Sequence, residues 1–473
     1  MNKETVIHAI EEHTGEYIRI AGELWKNPEL SYQEKNSSAL QKKYLRDAGF
    51  RITELDQIQD YAFIAEYGSG TPVIGLLGEF DALPGLSQAV CGSPSPLVPN
   101  GPGHACGHNL LGTACLAAAE GVKEALEPGE HSGTIRYFGC PAEEQLGKPK
   151  LAAAGVFANL DAVLCWHPSD LNTVAAYAGN ASVELEFSFH GAPAHAAQVP
   201  HLGRSALDAL TLMNLGVEFL REHMPSSARI HYIVISGGER PNIVPKYASG
   251  AYQVRSPHMR EALALLRRVI DVARGAAIMT GTQMEYSIKF GCWDLMPNAT
   301  ISDALWENLK SIPNPQWTEA ENQLARELAS YFSEDQKKAT LMGLGVDADS
   351  ADSMINEAIH EGVGYWGRGW TMAASTDVGD VSHIAPTAQI NTATWPVGVG
   401  SHTWQATAAS GSSFGMKGMI YAAKILGAAV CDLMTKPDLL EAARVEFNKK
   451  TANETYQAAE TLVRALQEEI SEN

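Results

Sequence analysis

Three short apolar runs constrain this chain more than any other feature: PVIGLLG (72–78), TIRYFG (134–139) and DAVLCW (161–166). Each is long enough for one strand and is apolar nearly throughout, so each asks to be covered on both faces. Helical patterns separate them, one from about Leu110 to Leu126 and a short one near 149–155. Another strand-like run, YAFIAEY (61–67), comes first, after a stretch that reads as two helices with Gly49 as the second stop. Strands alternating with helices predict an α/β domain whose sheet carries helices on both sides.

The pattern changes near residue 180. SVELEFSFHG (182–191) alternates apolar and polar residues, as a half-exposed strand does. A helix (Ser205–Glu222), strands at 228–235 and 247–256, a helix at about 259–280 and a strand at 284–290 follow. Strand, helix, strand, strand, helix, strand is a ferredoxin-like α+β order. Residues 181–291 are therefore expected as an inserted small domain, with 1–180 and 292–473 forming one discontinuous α/β domain. A strand near 388–394 and long helices at about 413–434 and 452–470 would complete the larger part.

Acidic residues outnumber basic ones 55 to 35, a formal net charge of −20. That balance argues against nucleic acid as a partner, which needs a basic face, and leaves room for a local basic pocket that takes an anionic substrate. No apolar run is long enough to suggest a membrane span, and the N-terminal residues carry too many charges for a secretory core. The cysteines, at 91, 106, 115, 140, 165, 292 and 431, are scattered and odd in number. Reduced thiols in a cytoplasmic protein are the expectation, with Cys106 set apart for what surrounds it.

Five segments concentrate metal-ligand side chains: GEFDALPG (78–85), GHACGHN (103–109), CPAEE (140–144), CWHP (165–168) and GSHTW (400–404). Three of them directly follow predicted strands of one sheet, and ligands of α/β sheets bind at the carboxyl ends of the strands. The long Gly-, Pro- and Ser-rich loop from Leu83 to Gly103 leads into the second segment. Taken singly, each segment has an ordinary reading: a loop cysteine, a capping histidine, an exposed carboxylate pair, a core histidine. Together they offer thiolate, imidazole and carboxylate, the donors of a zinc-like ion. Adjacent Glu143 and Glu144 would repel each other if buried, and a cation removes that cost. Two ions would clamp a hydroxide and polarise a carbonyl, leaving one carboxylate to act as base. H-E-x-x-H is absent, the glycine-rich 103–107 stretch lacks the lysine of a phosphate loop, and a serine nucleophile is set aside.

These strings occur in the order of the M20 metallopeptidases, and the chain resembles, over nearly its whole length, the branch that includes aminoacylases and hippurate and auxin-conjugate hydrolases. The resemblance implies two divalent metal ions per subunit, zinc or manganese, held by Cys106, His108, Glu144, His167 and His402. It implies Glu143 as general base, Asp81 as an orienting aspartate and His104 as a neighbour of the same kind. Many members carry a metal-binding histidine where this chain has Glu79, whose role stays open. The inserted domain would dimerise and cover the site. His195 (in GAPAHAA) would stabilise the oxyanion from a neighbouring subunit, Asn242 and Arg255 would hold a substrate carboxylate, and Asp377 and Asp380 would order a pocket wall. The implied activity is hydrolysis of N-acyl or N-aroyl amino acids such as p-aminobenzoyl-glutamate. The alternatives are a dipeptidase with the same metals, or a chain active only in a hetero-oligomer with a related one.

Overall fold

The computed structural model describes residues 1–126 and 132–472. The chain divides into two compact units: Met1–Ala178, Met296–Met372 and Val381–Tyr456 form the first, and Gly179–Leu295, Ala373–Asp380 and the chain from Gln457 onward form the second.

The first unit is built on a seven-stranded mixed sheet. Its strands are β1 (Arg51–Glu54), β2 (Phe63–Ser69), β3 (Val73–Glu79), β4 (Gly133–Cys140), β5 (Ala162–Ser169), β6 (Thr173–Val174) and, after the second unit, β11 (Thr387–Ala393). They lie in the order β1-β2-β4-β3-β5-β11-β6. The central pairs β4–β3, β3–β5 and β5–β11 are parallel, so their carboxyl ends share one edge. The apolar runs occupy this centre: Ile74, Leu76, Ile135, Tyr137, Leu164 and Trp166 pack in one core with the helices Lys3–Glu12, His108–Ala125 and Ser413–Thr435. Close helix contact needs missing side chains. A Cβ on Gly121 would meet Ile10 at 2.7 Å, and one on Gly427 would meet Val6 at 2.6 Å. The helix Ser413–Thr435 is long and apolar enough by composition to cross a membrane, yet most of it is buried here as a core helix.

Several boundaries differ from the sequence reading. The first fifty residues hold three helices, Lys3–Glu12, Thr14–Lys26 and Lys35–Asp47, because the chain breaks at His13. The helix expected over 452–470 starts only at Ala459 and runs to Glu472, and a separate, unexpected helix, Pro437–Thr451, precedes it. The short strands β1 and β6 carry no periodic signal and exist because neighbours pair with them.

The second unit holds β7 (Ala181–His190), β8 (Arg229–Ser236), β9 (Tyr247–Ser256) and β10 (Gln283–Cys292), all antiparallel in the order β10-β7-β9-β8. Val183, Leu185, Phe187 and Phe189 are buried while Glu184, Glu186 and Ser188 between them are partly exposed, which is the alternation the sequence shows. The helices Ala206–Leu220 and Met259–Thr280 complete the βαββαβ order. The unit is wider than 181–291. The Asp380 carboxylate accepts from the Trp293 amide at 3.0 Å, the Trp293 indole donates to the Gln457 carbonyl at 2.8 Å, and Arg267 pairs with Glu469 at 2.7 Å. These bonds recruit two short segments that are remote in sequence.

At the sheet's carboxyl edge, Asp170 follows β5 and joins two loops. Its Oδ2 accepts from the Gly398 amide at 2.9 Å and its Oδ1 accepts from Ser169 Oγ at 3.1 Å. Burial pushes its carboxyl up to about 6, against the opposing pull of these hydrogen bonds. Below the ordinary aspartate value both folded and unfolded chains keep this proton. As pH rises toward 6 only the unfolded chain loses it, so folding becomes less favourable across that window. Asp170→Asn should abolish this contribution: chemical denaturation at pH 4 and pH 7 should show the variant gaining on the wild type by roughly 2–3 kcal/mol at the higher pH. A constant difference at both values would mean that Asp170 does not titrate there.

Candidate metal centre

Each candidate ligand is held by a local device. Gly107 caps the helix His108–Ala125 with φ +73°, and a Cβ there would lie 2.8 Å from Pro168. Only glycine satisfies both the left-handed backbone and that approach, which sets Cys106 against the residue before Pro168. Cys106 Sγ and His167 Nε2 are 3.4 Å apart. His167 Nδ1 donates to the Pro168 carbonyl at 2.7 Å, so Nε2 keeps its lone pair toward the thiol. His402 sits in a left-handed turn (φ +62°), its amide tied to the Ala105 carbonyl at 2.9 Å. Its Nε2 lies 3.3 Å from Glu144 Oε1.

Asp81 organises the interior of the cluster. Its Oδ1 accepts from His108 Nδ1 at 2.8 Å, and its Oδ2 accepts from Ser31 Oγ at 2.8 Å and from the Glu144 amide at 3.0 Å. Burial would raise its carboxyl, but His108 and these donors outweigh burial and bring it to about 2. His108 is thereby left with Nε2 available to ligate, the arrangement in which a carboxylate orients a metal-binding histidine. The turn bearing Glu143 and Glu144 begins at Ala142 in the left-handed region (φ +60°), where the Ala142 amide donates to Glu34 Oε1 at 2.7 Å. Burial, and then the Asp81 charge, push the Glu34 carboxyl up to about 8. His104 is buried beside them, and burial drives its imidazole down to about 3, so it is neutral.

Three groups of side chains bring ligand atoms within 4.8 Å of one another: Cys106 with His108 and His167, Cys106 with Glu144 and His402, and Glu79 with His108 and Glu143. Cys106 belongs to two of them, as a thiolate shared between two ions would. The chemistry of the donors tests the fit. His108 Nε2 and Glu144 Oε1 are buried with no hydrogen-bond partner, a cost that a cation removes. Burial and then the Glu144 charge push the Cys106 thiol well up, a bias that a bound cation reverses. The donor set fits two divalent cations.

All five expected ligands and Glu143 therefore converge, along with Asp81. Glu79, Lys148, Glu34 and Ser31 also belong to the cluster, and Lys148 and Glu34 had no sequence signal: nothing in KPK or SYQEKN marks a buried charge. In the second unit His195 and Asn242 are neighbours, both exposed; His195 bridges Ile243, and the Ala196 amide donates to the Asn242 carbonyl at 3.0 Å. Arg255 is not with them. Asn242 precedes β9 and Arg255 lies near its far end, and at about 3.4 Å per residue the strand between Tyr247 and Arg255 spans about 27 Å. One chain cannot close Asn242 and Arg255 on the same carboxylate. Arg255 is half-buried, with its Nε buried and without a hydrogen-bond partner. Asp377 and Asp380 are fully buried in the second unit, Asp380 on the Trp293 amide. One G-x-S-x-G string does occur, Gly411–Gly415, but Ser413 opens a helix rather than following a strand and its Oγ donates to Glu321 at 2.7 Å, so it is no nucleophile elbow.

A model of Peptidase family M20/M25/M40 matches residues 75–368. A p-aminobenzoyl-glutamate hydrolase subunit of Escherichia coli (strain K12) is 38% identical over 457 residues, covering 95% of each chain. The Xaa-Arg dipeptidase of Homo sapiens is 31% identical over 454 residues, covering 92% of this chain and 89% of that one. Among solved structures, a dinuclear metal binding peptidase of the M20 family from Bacillus subtilis matches with a TM-score of 0.56 at 18% identity, covering 90% of this chain and 99% of that one, a likeness of fold. The chain belongs to peptidase family M20/M25/M40 and is a metal-dependent hydrolase of that family.

Proposed function

We propose that this enzyme cleaves the amide bond of N-acyl or N-aroyl amino acids, with p-aminobenzoyl-glutamate the first substrate to test. The observation that carries this reading is the 38% identity to the Escherichia coli p-aminobenzoyl-glutamate hydrolase chain along 95% of both sequences. Cys106, His108 and His167 would hold one divalent ion, and Cys106, Glu144 and His402 the other. When bound, such ions polarise the scissile carbonyl and activate water at neutral pH. Glu143, partly exposed beside them, takes a proton during attack and returns it to the leaving amine. Asp81 keeps His108 in the ligating tautomer. A shared thiolate favours zinc by its softness, while the imidazole and carboxylate donors also suit manganese. The Arg255 guanidinium suits a substrate carboxylate. The dipeptidase reading has its own support in the 31% identity to the Xaa-Arg dipeptidase.

Assembly follows from the second unit, which we propose as the dimerising domain. β8 is an edge strand, and Ile233, Val234 and Ile235 on it are 64%, 52% and 52% exposed, with Leu215 and Phe219 of a neighbouring helix also exposed. An uncovered apolar edge favours pairing with a second copy. His195 and Asn242 would then serve the neighbouring protomer's site, which resolves their distance from Arg255. A hetero-oligomer with a related chain stands as the competing assembly, since the Escherichia coli relative is named as one subunit of its hydrolase. None of the seven cysteines is paired in a disulfide and six of them are buried, which supports a reducing, cytoplasmic setting.

The purified chain should cleave p-aminobenzoyl-glutamate, a benzoyl-amino acid or a dipeptide, with loss on chelation and recovery with zinc or manganese. A preference for the dipeptide would move the reading to the dipeptidase, and no cleavage of any of the three would overturn it for the lone chain. Glu143→Gln should keep both ions and lower kcat by about 100-fold or more. Retained turnover would remove Glu143 as base. Cys106→Ala should lose metal from both positions, read by elemental analysis after dialysis. Ile233→Lys should shift sedimentation from dimer to monomer, weakening association by roughly 100-fold, while metal content stays constant. An unchanged sedimentation coefficient would place the interface elsewhere.

A further inference from the structure

Glu79 ends β3 at the carboxyl edge of the sheet, and the geometry points to it as a sixth ligand of the metal centre, fixed in place by Lys148. This inference rests on the two-metal reading above. Glu79 is 3% exposed and Lys148 is 0% exposed. Lys148 Nζ donates to Glu79 Oε1 at 2.5 Å, and Glu79 Oε2 lies 3.4 Å from His108 Nε2. That nitrogen is the one left to ligate once Asp81 has taken Nδ1, and it is buried without a hydrogen-bond partner. Two donors on one tetrahedral ion, with bonds of about 2.0–2.1 Å, stand about 3.3–3.4 Å apart. The Cys106–His167 and Glu144–His402 separations, 3.4 and 3.3 Å, fall in the same range. Glu143 completes the third group with His108, its Oε2 at 3.8 Å from the same Nε2.

A structural ion pair alone does not account for this arrangement. Burying a lysine and a glutamate costs more in desolvation than their attraction commonly returns, so such a pair is a poor way to gain stability. Charge balance gives it a reason. Glu79, Asp81, Glu143, Glu144 and the Cys106 thiolate bring five negative charges to one place. Two divalent ions supply four positive charges and Lys148 supplies the fifth. Lys148 also occupies one oxygen of Glu79, which leaves the other as a single oxygen donor in a set orientation.

The test is metal binding, independent of turnover. Wild-type protein, Glu79→Gln and the double variant Glu79→Gln with Lys148→Met are loaded with cobalt(II). Stoichiometry is read by elemental analysis, affinity by competition with a chelator, and coordination by visible absorption. The double variant removes both buried charges and guards against misfolding from a stranded lysine. The expected result is two ions in the wild type, and in both variants one retained ion, the second weakened by about 100-fold or more, with an altered ligand-field spectrum. Two ions held in both variants with wild-type affinity would overturn the inference and leave the two-metal centre intact. Weakened binding with an unchanged spectrum would also overturn it, making Glu79 a charge neighbour. A wild-type chain that binds no cobalt would overturn the two-metal reading itself, and this inference with it.

Discussion

The carboxylate of Asp81 is the contact on which the rest of the catalytic unit depends. It fixes the tautomer of His108 through one oxygen and the backbone of the Glu143–Glu144 turn through the other. These two partners come from opposite sides: His108 from the start of a helix, Glu144 from the loop after β4. A fully buried carboxylate tolerates this only because every lone pair direction in use meets a donor, Ser31 included. The helices of the N-terminal region thus have a chemical task as well as a packing one. The segment between the second and third of them carries Ser31 and Glu34, which bond to Asp81 and to the Ala142 amide.

Burial of so many like charges also explains the architecture around them. β3, β4 and β5 are parallel, so the peptide segments leaving them emerge on one edge, and the candidate ligands they carry come within reach of each other. A rigid apolar platform is required beneath, because a centre that repels itself in the absence of cations would otherwise push apart. The nearly wholly buried helices His108–Ala125 and Ser413–Thr435 provide that platform, each packed against the helix Lys3–Glu12 at a glycine that admits no side chain. Asp170 adds a strut on the remaining side, fastening the loop that leads to His402 to the end of β5.

The second unit obeys different physics. Its sheet is covered by helices and has a polar, partly exposed set of strand residues, with an apolar edge at β8. Its functional candidates lie toward separate ends of β9, with His195 and Asn242 before its start and Arg255 near its far end.

The sequence by itself determined the two-part organisation, the α/β class of the larger part and the five segments that carry the candidate ligands, because these depend on local periodicity and on residue type next to strand ends. Hydrophobic alternation marks 182–191 as half-exposed, and the apolar runs mark β3, β4 and β5 as buried, with no need of tertiary contacts. What only the tertiary structure decided is which charges are buried together. Lys148 and Glu34 read as ordinary surface residues, since burial of an ion is set by neighbours far away in the chain: Glu79 lies 69 positions from Lys148, and Ala142 lies 108 from Glu34. The same reason accounts for the helix boundaries near His13 and Pro437, for the pairing of β1 and β6, and for the capture of the 373–380 and C-terminal segments by the second unit. Local pattern selects an element's type, but electrostatic compensation and shape fit between distant segments select its partner.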